Sequence, residues 1–223
     1  DYAPGFAAGM KEQDAEIAAI ANAASPPTFQ NTVVAMERSG RMLDRVGSAF
    51  FNVQQANTNA ALDKVLSDVA PQLAAHQDAI YLNAKLFGRV KAIYDQRAAL
   101  KLDAESRTLL DYYYRLFVHA GANLSDAGKT RLKQINKRDA SLEASFQQKL
   151  VAATKAGALV LDDKKDLAGL SADQVANAAH EAETRGLKGK FVIPLQNTTQ
   201  QPLLVSLTNR AVREKLFNAR WLA

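Results

Sequence analysis

Metal or acid–base chemistry in this 223-residue chain would have to use three histidines and 23 aspartates and glutamates, because there is no cysteine. Zinc hydrolysis on a helix needs two histidines one turn apart, with a glutamate between them to activate water, the HExxH arrangement. His180-Glu181 begins such a run, but Thr184 stands where the second histidine belongs. His76, in PQLAAHQDAI, and His119, in RLFVHAGAN, lie far away in sequence. With no thiolate to replace an imidazole, the expectation is no metal in this chain; histidines on helix faces are ordinarily hydrogen-bonded core groups. Asp162 and Asp163 open the charged turn DDKKD, which lacks the spacing of a calcium loop and reads as solvated. No Gly-rich phosphate loop, GxSxG elbow or Ser/His/Asp constellation can be assembled, so no catalytic residue is expected.

Binding is better represented than catalysis, and the stretch KFVIPLQNTTQQPLLVSLTNRAVREKLFNARW from Lys190 to Trp221 carries the candidates. Phe191, Val192, Ile193 and Leu195 read as a short strand. Gln196 to Pro202 is polar, and Leu203, Leu204 and Leu207 restart a helix. The uncharged side chains of Asn197, Thr198, Gln200 and Gln201 can donate and accept hydrogen bonds from a polar loop. The structural alternative is that they cap the following helix. Thr208 is expected to cap the last helix, whose apolar side is Val212, Leu216, Phe217 and Trp221. Arg210 and Arg213 could grip a carboxylate bidentately, or pair with Glu214 or a helix end.

The elements that must position these groups are mostly helices. Ala3–Ala23 has Phe6, Met10, Ile17 and Ile20 on one side, and Ser25-Pro26-Pro27 stops it. Thr28 caps a helix that ends at Gly40, and Arg41 starts another. Asn57 or Thr58 is expected to cap Ala60–Ala70. Pro71 suits the first turn of a long helix carrying Leu73, His76, Ile80, Asn83, Leu86, Phe87, Val90 and Ile93 on one stripe. Asp103 caps a helix running to Ala120. There Tyr112, Tyr113 and Tyr114 point in different directions, so that one of them is free to line a cleft. Ser125 starts an amphipathic helix to about Ala156. ALVL at Ala158–Leu161 and the run at Lys190–Leu195 are expected to pair around a helix capped by Ser171 and Gln174, a capping box. The fold class is therefore mostly α, a bundle-like body with a small two-stranded β element near the C-terminal end. It divides into residues 1–157 and 158–223.

An apolar fraction of 48% supports a substantial core. No apolar run approaches the roughly 20 residues that span a bilayer, and no membrane partner is expected. The net charge of +5 is spread over helices where Lys and Arg alternate with Asp and Glu. That pattern is a solvated surface rather than a nucleic-acid patch.

A family resemblance joins these readings. PTFQNTVVAMERSG (Pro27–Gly40), FFNVQQANTN (Phe50–Asn59), APQLAAHQDAIYLNAKLFGRVKAIYDQR (Ala70–Arg97), YRLFVHAGANLS (Tyr114–Ser125) and DLAGLS (Asp166–Ser171) are followed by LQNTTQQPLL, LTNRAVRE and a closing AxW. In that order they resemble the N-terminal portion of the thimet oligopeptidase family of zinc metallopeptidases, over nearly the whole chain. The resemblance implies one wall of a deep channel that admits short peptides, with zinc held on HExxH outside this chain. It implies a C-terminal catalytic portion as partner and short peptides as substrates, the peptidyl-dipeptidase branch removing C-terminal dipeptides. By it, Asn197, Thr198, Gln200, Gln201 and Arg210 become expected substrate contacts, and the chain alone is expected to be inactive, in either the bacterial cytoplasm or the periplasm. A non-catalytic helical interaction module is the alternative.

Overall fold

The computed structural model describes residues 2–221; the side chains of Lys155, Asn197, Arg220 and Trp221 lie outside the description. The protein is mostly helical, with one two-stranded sheet near its C-terminal end. It divides into two compact units, the first ending at Ser145 and the second starting at Phe146.

The first unit opens with α1 (Tyr2–Ala21), which packs along α3 (Arg41–Ala56) and α4 (Ala60–Tyr81). Gly9 sets the closeness of the α1–α3 crossing. A Cβ there would sit 2.8 Å from the Leu43 Cα, so only glycine lets the backbones approach this far. Edge-on contacts of Phe6 and Tyr2 with Phe50 fill this end of the unit. Between α1 and α3, Thr28 and Asn31 form a capping box on a π-helical turn, Phe29–Val34, which leads into α2 (Ala35–Glu37). The buried Arg89 of α5 (Ala84–Asp95) braces the connection after α1, donating to the carbonyls of Ala23 at 3.1 Å and Ser25 at 3.0 Å, and to Asn31 Oδ1 at 3.1 Å. A second core gathers Val33, Met36, Leu86, Val90, Leu110 and Phe117. It places α6 (Ala104–His119) against α5.

Several sequence expectations shift in this unit. Pro71 lies inside α4 rather than starting a helix, so Ala60–Tyr81 is continuous. The stripe expected from Leu73 to Ile93 breaks at Asn83. Asn83 is not a core polar but the N-cap of α5, accepting from Lys85 N at 3.0 Å and Leu86 N at 3.1 Å. The cap of α4 is Asn59, not Asn57 or Thr58, with its Oδ1 accepting from Ala61 N and Leu62 N.

α7 (Asp126–Ala156) runs through the boundary at Ser145. In the second unit β1 (Ala158–Leu161) pairs antiparallel with β2 (Phe191–Pro194), Ala158 opposite Pro194 and Leu161 opposite Phe191. α8 (Ala172–Thr184) lies between them in sequence, closed by the expected Ser171–Gln174 capping box. α9 (Asn197–Ser206) and α10 (Arg210–Trp221) follow. Leu161, Leu167, Ile193, Leu203, Leu207 and Leu216 form the core of this unit. Asn209, not Thr208, caps α10, accepting from Ala211 N at 3.0 Å. Thr208 instead donates its backbone N–H to Ala168 O at 2.9 Å and its hydroxyl to the same oxygen at 3.0 Å. That contact brings Gly169 so near Ser206 O that a Cβ would lie on top of the oxygen, and its φ of +96° suits glycine alone.

Candidate functional site

Asp103 starts α6 by accepting from Ser106 N at 2.7 Å, and this backbone hydrogen bond holds its carboxyl below the usual carboxylate range. The 3.6-residue period then splits the helix into two faces. Leu110, Tyr113 and Phe117 point inward: Leu110 and Phe117 are fully buried, and Phe117 meets Tyr81 edge-on with ring centroids 5.2 Å apart. Tyr113 donates to Glu37 Oε2 at 2.6 Å. Burial, then the Glu37 hydrogen bond, pushes its phenol far above the ordinary tyrosine value. Tyr114 stacks flat on Tyr94, with centroids 3.7 Å apart.

The opposite face is open. Thr108, Asp111, Tyr112, Arg115, Leu116 and His119 line a cavity of about 600 Å3. A second hollow of about 490 Å3 continues it past Thr108 and Tyr112 to Ala104 and Glu105. Of the three consecutive tyrosines, Tyr112 is the one left for a cleft, 57% exposed. Asp111 carries the unusual feature here: its Oδ1 is buried and has no hydrogen-bond partner. A carboxylate oxygen stripped of water and given no donor is unfavourable, and a cation arriving at the same carboxylate would offset that. Arg115, one turn on, forms no ion pair among the described residues.

The residues singled out from the sequence are not brought together in this way. Asn197 begins α9, so the expected polar loop is the first turns of a helix. Thr198 and Gln201 are exposed, as is Arg210 at the start of α10. Gln200 is 1% exposed and its Nε2 donates to Leu216 O at 2.9 Å, joining α9 to α10. Arg213 donates to Leu207 O at 2.7 Å and Thr208 O at 3.0 Å, closing the turn between those helices. Of the histidines, His76 is buried, with Nε2 2.7 Å from Gln13 Oε1 and Nδ1 3.0 Å from Asp14 Oδ1. His180 is exposed on α8, and His119 lines the α6 cavity. Among the described residues no three His, Asp or Glu side chains converge as a metal site, so the donor set does not fit a zinc ion. No helix among them is long and apolar enough to cross a membrane.

No protein-family model matches the chain. It is 46% identical to dipeptidyl carboxypeptidase of Escherichia coli (strain K12) over 99% of its own length and 32% of that protein's. The same protein of Salmonella typhimurium is 46% identical with the same coverage. Oligopeptidase A of Haemophilus influenzae is 24% identical over 86% of the chain and 28% of its own length. These relatives are named as peptidases, and the chain spans about a third of their length.

The α6 face had a weak sequence signal. Thr108, Asp111, Tyr112, Arg115 and His119 recur at helical spacing opposite the buried stripe, the ordinary look of a solvated face. Only the unpartnered Asp111 oxygen distinguishes it, and that is a property of the packing.

Proposed function

We propose that the chain is the substrate-contacting N-terminal portion of a zinc metallopeptidase that removes C-terminal dipeptides from short oligopeptides, the zinc and the chemistry residing outside it. The observation that carries this reading is the 46% identity to dipeptidyl carboxypeptidase across 99% of the chain.

An extended peptide needs partners for its backbone N–H and C=O groups. Thr198 and Gln201, both exposed, offer a hydroxyl and an amide for that purpose. Arg210, exposed at the first turn of α10, offers a planar guanidinium to a carboxylate. Gln200 serves the fold: its amide holds α9 to α10. The side chains of this chain bind and orient, and no proton-transfer step is assigned to them.

The test is zinc content together with dipeptide release from an N-blocked tetrapeptide, for the chain alone and then mixed with the other two thirds of the protein. Metal-free, inert chain that yields activity on mixing supports the reading. Zinc bound at one equivalent with cleavage by the chain alone would overturn it, and would move the search to His76, His119 and His180. A chain that stays inert in the mixture would favour a helical interaction module.

A further inference from the structure

We infer that the cavity on the outer face of α6 is a binding site for a free zwitterionic dipeptide, its ammonium held by Asp111 and its carboxylate by Arg115. The inference rests on the peptidase reading for its choice of ligand, while the site itself rests on α6.

The space of about 600 Å3 over this face is large enough for a dipeptide and open on its outer side, its six lining residues all belonging to α6. Its lining supplies one carboxylate, one guanidinium, a phenol, a hydroxyl and an imidazole over the apolar Leu116. Asp111 is left with a buried oxygen that no donor reaches, whereas Asp78, the other such carboxylate among the described residues, has its second oxygen held by Asn136 at 2.7 Å. Asp111 and Arg115 are one turn apart, a spacing at which opposite charges commonly pair, yet no ion pair forms between them among the described residues. Both side chains line the cavity without pairing with one another; with Oδ1 buried, a ligand's ammonium would meet the Asp111 carboxylate at its other oxygen.

The spacing selects the ligand. Four residues of helix advance about 6 Å along the axis. A dipeptide extended end to end spans about 7 Å, so its ammonium and carboxylate match the two groups, whereas a single amino acid spans about half that. A side chain of the dipeptide then lies over Leu116 and beside Tyr112. Charge-assisted bonds at both ends are the stronger kind, and the bidentate fork of Arg115 suits a carboxylate.

Isothermal titration of the chain with alanyl-leucine tests this, with N-acetyl-alanyl-leucine, alanyl-leucine amide and free leucine as controls. Alanyl-leucine is expected to bind, with acetylation, amidation and shortening to leucine each weakening it at least tenfold. Asp111→Asn should weaken alanyl-leucine at least tenfold and leave the acetylated form unchanged, and Arg115→Gln should do the same with respect to the amide. Both lie on an open helix face, and unchanged circular dichroism confirms that each variant folds. Absent binding, equal binding of leucine, or equal binding by both variants overturns the inference. Its failure is distinguishable from that of the peptidase reading: dipeptide bound without tetrapeptide cleavage on mixing keeps the site and sinks the peptidase, and cleavage on mixing without dipeptide binding does the reverse.

Discussion

Gln200 of α9 and Asp111 of α6 are both polar side chains drawn into the protein, and they end differently. Gln200 sits in a run of uncharged polar residues that looks like a binding loop, yet its amide is taken by the Leu216 carbonyl at 2.9 Å. Asp111 sits in an ordinary amphipathic helix, yet its Oδ1 is left without a donor. Polar composition alone therefore does not tell which of these side chains is left over for a ligand. What tells is whether the fold itself supplies the partner, since buried polar groups are nearly always satisfied and an exception calls for an explanation.

The largest expected effect separates the two faces of α6. Leu110→Ala, at a fully buried position, should cost the first unit about 3 kcal/mol in urea unfolding, from lost burial and the cavity left behind. Tyr112→Ala, on the open face, should change stability by no more than about 0.5 kcal/mol. Equal losses would mean that the outer face is packed rather than open. Next, Gln200→Ala should cost the second unit about 2 kcal/mol, whereas Thr198→Ala and Gln201→Ala stay within about 0.5 kcal/mol. A Gln200→Ala chain of unchanged stability would return that amide to the ligand-binding candidates. Asp111→Asn should be neutral or stabilising by up to about 1 kcal/mol, because an amide replaces a desolvated carboxylate oxygen. A clear loss of stability would show that Asp111 already has a structural partner.

Titration sharpens the same contrast between satisfied and unsatisfied groups. The phenol of Tyr113 is raised above its ordinary value of 10.0, so its contribution is complete below that pH and is lost as the pH climbs toward the folded value. Unfolding should therefore become easier above about pH 10, with Tyr113→Phe flattening part of that limb; Tyr81, also raised by burial, contributes with the same sign. Asp103 works in the other direction and more weakly. Its carboxyl is lowered from 3.8 by the Ser106 N–H, so its contribution is present above that value and lost as the pH falls through the folded one. Asp103→Asn keeps an acceptor at the cap and should remove that part of the acid limb, read by circular dichroism at 222 nm.

Local chemistry was legible in the sequence. Asp103, Thr28 and the Ser171–Gln174 box cap helices where their types and spacing indicate, and the two short apolar runs pair as expected. Choices among neighbours were not. Asn57, Thr58 and Asn59 are all competent caps, and the chain uses Asn59. Asn83 falls at a spacing that suits a core stripe as well as a cap, and the helix breaks there because its side chain takes two amide N–H groups. Pro71 fits a first turn by its own geometry, but α4 carries it in mid-helix, where packing of the surrounding turns outweighs the lost backbone bond. Gln200 and Asp111 were the hardest to read. Their fates depend on contacts with α10 and on the exclusion of water from one carboxylate oxygen, and neither has a local signature.

The most direct test is to follow the backbone amides of the 24.2 kDa chain by two-dimensional NMR while alanyl-leucine is added. The account predicts saturable shifts along α6 at Thr108, Asp111, Tyr112, Arg115, Leu116 and His119, with α9 unmoved. Shifts at Thr198, Gln201 and Arg210 with α6 silent would contradict the α6 site and leave the side chains of α9 and α10 as the ones that bind the dipeptide.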